Sequence, residues 1–182
     1  MSTKQYKKRK TFYMEAGLGN RLKCLYSALY WCNTLKIKPT IIWEMEPACF
    51  ARFEELFEAP RDLEVKYVYT LSIREDSIIR NVIGRTFLRI IRFSSSFISA
   101  LCTKEIYERC GEKGIEELLI SDKNRYIGCY DIFCSMKHFR KAIPLLQPSM
   151  EIKKRVDEIM FPYQGGQSNR HSYTKNRPYS LN

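Results

Sequence analysis

The feature that most constrains this chain is a glycine turn between a short extended run and a helix. Residues 11–15 (Thr-Phe-Tyr-Met-Glu) read as a strand, and Ala16-Gly17-Leu18-Gly19-Asn20 ends it. From about 20 to 36 the apolar residues Leu22, Leu25, Tyr26, Leu29 and Cys32 recur at helical spacing. Glycines at such a junction let the backbone turn sharply and let a ligand approach a helix N-terminus. There, free N–H groups and the helix dipole favour an anion such as phosphate.

The rest of the chain continues the alternation. Residues 40–43 read as a buried strand after the break at Pro39, and Val65, Tyr67 and Tyr69 alternate within a third strand over 63–70. A short helical turn is expected over 53–57. Helices are expected over 77–93, 97–110 (closed by Gly111 and Gly114), 115–120 and 150–160, with another strand over 126–130. Strands alternating with helices predict an α/β fold built on a parallel sheet with flanking helices.

Composition narrows the class. The chain has 182 residues and is 45% hydrophobic, enough for one domain with a core and too apolar for a disordered chain. Its net charge is +11, but residues 1–10 hold five bases and no acid, and residues 163–182 hold three bases and no acid. The body between them, 11–162, is nearly balanced. The ends therefore read as a basic tail (1–10) and a polar tail (163–182) without hydrophobic patterning. Lys7-Lys8-Arg9-Lys10 could serve as a nucleic-acid or localisation signal, yet a near-neutral body offers no extended basic face, so no nucleic acid is expected.

Seven cysteines without a C-x-x-C pair or a secretory leader predict free thiols in a reducing, cytoplasmic setting. His138 and His171 have no partner at a metal-ligand spacing, so no zinc site is expected. No stretch reaches the ~18 apolar residues of a membrane span. Helix 77–93 carries Ile78, Ile79, Val82, Ile83, Ile90 and Ile91 on one arc and Arg85, Arg89 and Arg92 opposite. It is expected to pack the isoleucines into the core and solvate the arginines, the alternative being peripheral membrane contact through Arg85, Arg89 and Arg92. Glu15 and Asp131 are isolated carboxylates at expected strand ends.

The glycine turn admits three readings. It can be a tight strand-to-helix turn and nothing more. It can be a dinucleotide fingerprint of an NAD-binding oxidoreductase, with Glu44 holding a ribose, although the third glycine position is Leu22. The third reading is by resemblance. Glu15-Ala16-Gly17-Leu18-Gly19-Asn20-Arg21-Leu22 followed by Ile41-Ile42-Trp43 resembles the start of fucosyltransferase-like glycosyltransferases, the group of nodulation, α-1,6- and protein O-fucosyltransferases. Cys49-Phe50-Ala51-Arg52-Phe53-Glu54-Glu55-Leu56-Phe57 and Leu146-Gln147-Pro148-Ser149-Met150-Glu151-Ile152 are similar to two later segments of that family.

The resemblance implies a Rossmann-like domain over 11–162, the N-terminal half of a GT-B enzyme. It implies metal-independent transfer of a sugar from a nucleotide sugar, GDP-fucose, to a glycan acceptor. Gly17, Gly19, Asn20 and Arg21 would then lie near the donor diphosphate or the acceptor, with Arg21 offering charge to the leaving group. The competing reading of Arg21 is a solvated residue on the first helical turn. The family's donor signature, resembling G-x-H-x-R-x-x-D, does not occur in these 182 residues. Back-translated and read one nucleotide later, residues 169–178 can spell isoleucine-glycine-isoleucine-histidine-isoleucine-arginine-arginine-threonine-aspartate. The expectation is a frameshifted tail, a missing C-terminal domain and a fragment inactive alone. The remaining alternative is a stand-alone basic module binding nucleic acid or a membrane surface.

Overall fold

The computed structural model describes residues 6–46, 49–70 and 78–164. Residues 165–182, where most of the frameshift reading falls, lie outside the described residues, as does Ser77. Five strands form one parallel sheet: β1 (Lys8–Met14), β2 (Ile37–Met45), β4 (Glu64–Tyr69), β5 (Phe97–Ile98) and β6 (Tyr126–Cys129), in spatial order β4-β2-β1-β6-β5. The α/β parallel architecture expected from the alternation is present.

Alternation along each strand sorts the core into two faces. Phe12, Met14, Ile41, Trp43, Ile127 and Cys129 point to one face. They meet helix α1 (Leu18–Leu35) and the second half of α4 (Ala100–Ile120), through Leu25, Ala28, Leu29, Ile115 and Leu119. Tyr13, Ile42 and Val68 point to the other face and meet Leu88 and Ile91 of α3 (Ile78–Arg92). Further down that face the side chains are polar, and Arg9 and Lys66 pair with Glu64 at 3.2 and 3.5 Å.

Two strands start earlier than expected, each for a visible reason. β2 runs through Pro39, because pairing with β4 begins only at Thr40↔Glu64. At Pro39 the strand is still an edge, where a missing N–H is tolerated. β1 begins at Lys8, so Lys8, Arg9 and Lys10 belong to the sheet rather than to a tail. Their charge serves the end of α4: Lys8 Nζ donates to the Ile120 carbonyl at 2.5 Å, and buried Lys10 donates to the Ser121 and Asn124 carbonyls. Cations at a helix C-terminus offset its dipole.

Helix α3 keeps only part of the expected orientation: Ile91 is buried and Arg85, Arg89 and Arg92 are exposed as expected, but most of the isoleucine arc is not in the core. Its buried seam is Gly84, Leu88 and Ile91, while Ile79, Val82, Ile83 and Ile90 are exposed. The reason lies beneath it. α3 crosses the carboxyl half of the sheet, with Gly84 on Tyr69 and Ile91 on the Tyr13 side, where the groups below are the polar Glu44, Thr70 and Tyr13 hydroxyl. Arginines suit that floor. A Cβ on Gly84 would stand 2.0 Å from the Tyr69 carbonyl oxygen, so this approach requires glycine.

Phe97 and Ile98 form β5 instead of opening a helix, and α4 starts at Ala100, capped by Ser99 Oγ accepting the Cys102 N–H at 3.2 Å. The helix breaks at Gly111, whose φ of 60° falls where only glycine sits freely. Helix α5 (Met136–Ala142) was not legible in the sequence. A two-stranded antiparallel ladder joins β3 (Phe57–Glu58), which follows α2 (Phe53–Leu56), to β7 (Gln147–Pro148). α6 spans Met150–Gln164, taking Tyr163 and Gln164 from the expected tail into the helix. All seven cysteines are free, five of them buried.

Candidate functional site at the carboxyl end of the sheet

From β1 the chain passes through α1 to β2 on one side, while β6 lies on the other side of β1. The strand order thus reverses between β1 and β6, and open α/β sheets bind ligands in the crevice that such a reversal leaves at the carboxyl ends. The glycine turn sits there. Glu15 N–H donates to the Cys129 carbonyl at 3.0 Å, tying the turn to β6. Ala16 takes φ 72°, a left-handed conformation that costs an alanine of order 1 kcal/mol. Gly17 caps α1 in an extended conformation, and its carbonyl accepts from the Asn20 and Arg21 N–H groups at 3.1 Å each.

No side chain caps α1, and its first turn carries no acid. The Leu18 and Gly19 N–H groups have no partner among the described residues. Gly19 is exposed, and a Cβ built there meets nothing within 4 Å. Gly17 and Asn20 are half-buried on the same turn. Three of the four residues singled out in the sequence therefore share one open rim.

Arg21 is different. It is 0% exposed, so it is not the solvated residue that one reading expected. Nε donates to the Ala16 carbonyl at 2.7 Å, Nη1 to the Glu44 carbonyl at 2.5 Å and Nη2 to Glu46 Oε1 at 2.6 Å. The guanidinium also lies 5.2 Å from the Trp43 ring centre. Spent on these partners, it braces the strained Ala16 peptide from below.

Charged groups frame the rim. Burial pushes the Glu15 carboxyl up, against the opposing pull of Arg92 at 3.6 Å. Asp131 accepts the Ile132 N–H at 2.8 Å and lies 3.4 Å from Lys23. On the α3 side, Tyr13 donates its hydroxyl proton to Glu44 and accepts from Arg92 Nη2 at 3.0 Å. Burial, then the Glu44 hydrogen bond, push Tyr13 well above the ordinary phenol range, which keeps that proton in place. Thr70 donates to the other Glu44 oxygen at 2.5 Å. Both Glu44 oxygens thus serve a clamp joining β1, β2 and the end of β4. Above it lies a pocket of about 270 Å³ lined by Glu44, Thr70, Arg85, Leu88, Arg89 and Arg92.

Sequence reasoning missed the Arg92–Glu15 and Tyr13–Glu44–Thr70 links, whose members are far apart in the chain and carry no motif. It also gave His138 no partner. In the fold His138 Nδ1 lies 2.7 Å from Glu112 and the ring stacks on Tyr30 at 4.4 Å, a contact of α1, α4 and α5 away from the rim. Among the described residues, no three His, Cys, Asp or Glu side chains are placed to hold a metal ion, and no helix is long and apolar enough to cross a membrane.

The three segments that carry the family resemblance meet in space. Trp43 Nε1 donates to the Ala51 carbonyl at 3.0 Å, and the ring packs edge-on against Phe53. Phe57 pairs with Pro148 in the small ladder, and Ser149 Oγ donates to the Glu55 carbonyl at 2.8 Å.

Among solved structures the chain is similar to the fucosyltransferase NodZ from Bradyrhizobium, at 16% identity and TM-score 0.45, covering 87% of this chain and 58% of that one. NodZ α-1,6-fucosyltransferase soaked with GDP-fucose and co-crystallised with GDP give the same identity, score and cover of this chain, over 56% and 57% of theirs. The chain spans less than three fifths of the length of these structures. No protein family and no curated protein matches it.

Proposed function

We propose that this chain forms one half of a fucosyltransferase-like glycosyltransferase, transferring a sugar from GDP-fucose to a hydroxyl of a glycan acceptor. The observation that carries the reading is the Glu15–Leu22 turn. The residues that resemble the family's first motif fold into an open, uncapped helix N-terminus at the reversal point of the sheet. Such a terminus suits the negative charge that develops on a departing diphosphate.

In this reading the acceptor oxygen loses its proton to Glu15, attacks the anomeric carbon, and the C–O bond to the diphosphate breaks with its electron pair leaving on GDP. The burial that raises the Glu15 carboxyl makes it a better proton acceptor than an ordinary exposed carboxylate. Leu18 and Gly19 N–H groups face the diphosphate, and Arg21 acts as a positioning residue beneath them. The nucleotide-gripping surface belongs to a second half with the G-x-H-x-R-x-x-D signature, so these 182 residues alone bind the donor weakly and turn it over little. No metal takes part in the step.

Calorimetry with GDP-fucose tests this, on the chain alone and mixed with a separately expressed family C-terminal domain. Binding and glycan-dependent GDP release are expected in the mixture, lost on Gly19→Val and on Glu15→Gln respectively. Tight binding of NAD in place of GDP-fucose would refute the assignment.

A further inference from the structure

The most anomalous surface lies on α3. Stepping 100° per residue places six apolar side chains, Ile79, Val82, Ile83, Phe87, Ile90 and, just past the helix end, Phe93, in one outward arc of about 140°, with Thr86 the one polar residue among them. All six are exposed, Ile79 at 74%, Ile90 at 66% and Phe93 at 88%. A contiguous apolar face of this kind marks a surface that is normally covered. What borders it is uniformly basic. Arg80 lies on one side, next to Lys66 across a groove lined by Ile83 and Phe87. Arg85, Arg89 and Arg92 lie on the other.

α3 contains no acid. Among the described residues, Glu15, paired with Arg92, and Glu64, paired with Lys66 and Arg9, are the carboxylates that form ion pairs with the bordering bases. Glu75 and Asp76 precede the helix in sequence, outside the described residues.

We infer that α3 is an interfacial helix that lays its apolar face into an anionic lipid surface, with the arginines at headgroup level. Charge selects this occupant. The chain's own C-terminal segment carries Arg170, Lys175 and Arg177 and no acid, so it repels the border. A second copy stacked on the same face would set arginine against arginine. An anionic leaflet meets both requirements at once, apolar depth under the isoleucines and negative charge beside the bases. The helix is about 22 Å long and crosses the sheet instead of lying within the core, so its whole outer side reaches one plane. The inference differs from adsorption through arginines alone: Arg85 and Arg92 bond to the Thr70 carbonyl and Tyr13 hydroxyl, and the isoleucines insert. It holds whether or not the sugar-transfer reading does.

The test is sedimentation of the full chain with vesicles of phosphatidylcholine, pure or with roughly one phosphatidylglycerol in three. Partition should be on the order of tenfold or more stronger on the anionic vesicles and weaken as salt rises above about 0.1 M. The double change Ile79→Gln/Ile90→Gln, at exposed positions that leave circular dichroism unaltered, should lower it about tenfold or more. Arg80→Gln/Arg89→Gln should lower it only on anionic vesicles. Trp31 and Trp43 are buried, so Phe93→Trp reports insertion directly, by a blue shift with anionic vesicles. Absence of binding, binding unaffected by the Ile changes, or an unshifted emission from the Phe93→Trp variant would overturn the inference. So would a dimer, seen by sedimentation equilibrium, that the Ile changes dissociate without any vesicle binding.

Discussion

Arg21 is locked against Trp43: the guanidinium lies 5.2 Å from the ring centre while its three nitrogens reach Ala16, Glu44 and Glu46. Trp43 in turn holds the Ala51 carbonyl through its indole N–H. The glycine turn, the end of β2 and the segment leading to α2 are therefore one mechanical unit, pinned by a buried cation.

Removing that cation should be costly. Arg21→Met leaves two backbone carbonyls and the Glu46 carboxylate without their donor, and breaking a buried pair typically costs about 3–5 kcal/mol. Urea denaturation should show a loss of that order. Arg21→Lys should recover only part of it, because one ammonium cannot fork to three separated acceptors. A loss below about 1 kcal/mol for Arg21→Met would show that the brace is dispensable.

Two glycines offer opposite expectations. Gly19 stands in the first turn of α1 with open space where a Cβ would go, so Gly19→Ala should leave thermal stability unchanged or raise it by up to about 1 kcal/mol. Gly84→Ala drives a Cβ into the Tyr69 carbonyl, which is backbone and cannot swing away. It should cost about 1–3 kcal/mol and loosen α3 from the sheet. Equal melting temperatures for the two variants would contradict the crossing geometry of α3.

These pairs show what the sequence could and could not disclose. The glycine turn, α1 and the buried strand cores were readable because their signals are local: periodicity, β-branching and turn residues within a short window. Pro39 misled because its tolerance depends on where a neighbouring strand begins, a fact about β4 and not about β2. The isoleucines of α3 misled more deeply. Amphipathicity gives two faces but not where the seam between them falls. Ile91 reaches the core and the arginines stay exposed as expected, yet over the polar floor of Glu44, Thr70 and Tyr13 the seam runs through Gly84 and Leu88 and leaves Ile79, Val82, Ile83 and Ile90 outside. Lys8 and Lys10 looked like a tail because their acceptors, the carbonyls closing α4, lie more than a hundred residues away. At the rim, Gly17, Gly19 and Asn20 were legible as a motif; the burial of Arg21 was not, since a cation at a helix start normally faces water.

Glu112 predicts an acid-side dependence. Burial would raise its carboxyl, but the Ser135 N–H at 2.7 Å and the His138 ring outweigh it and hold the group below the usual carboxylate range. A folded-state value below the unfolded one contributes stability above the unfolded pKa, and that contribution is lost as pH falls through the lowered value. Melting temperatures of the parent and Glu112→Gln should therefore differ most near neutrality and converge in acid. A gap that widens on acidification would contradict the contact.

Glu15 has the opposite sign. Burial raises its folded-state carboxyl above the unfolded value, with the pull of Arg92 reducing the shift without cancelling it. The native state then holds a proton more tightly than the unfolded chain across the window between the two values. The contribution is complete below the unfolded pKa and disappears as pH rises through the raised one. Glu15→Gln keeps a neutral group of the same shape, so it should match the parent in acid and become relatively more stable toward neutrality. Denaturant midpoints at about pH 4 and pH 7.5 would show the divergence. In the proposed reaction Glu15 accepts the acceptor's proton, so the same substitution separates stability from chemistry: stability should rise while glycan-dependent GDP release in the reconstituted enzyme falls. A variant that lost stability at neutral pH would show that the Arg92 pair, and not burial, governs this carboxylate.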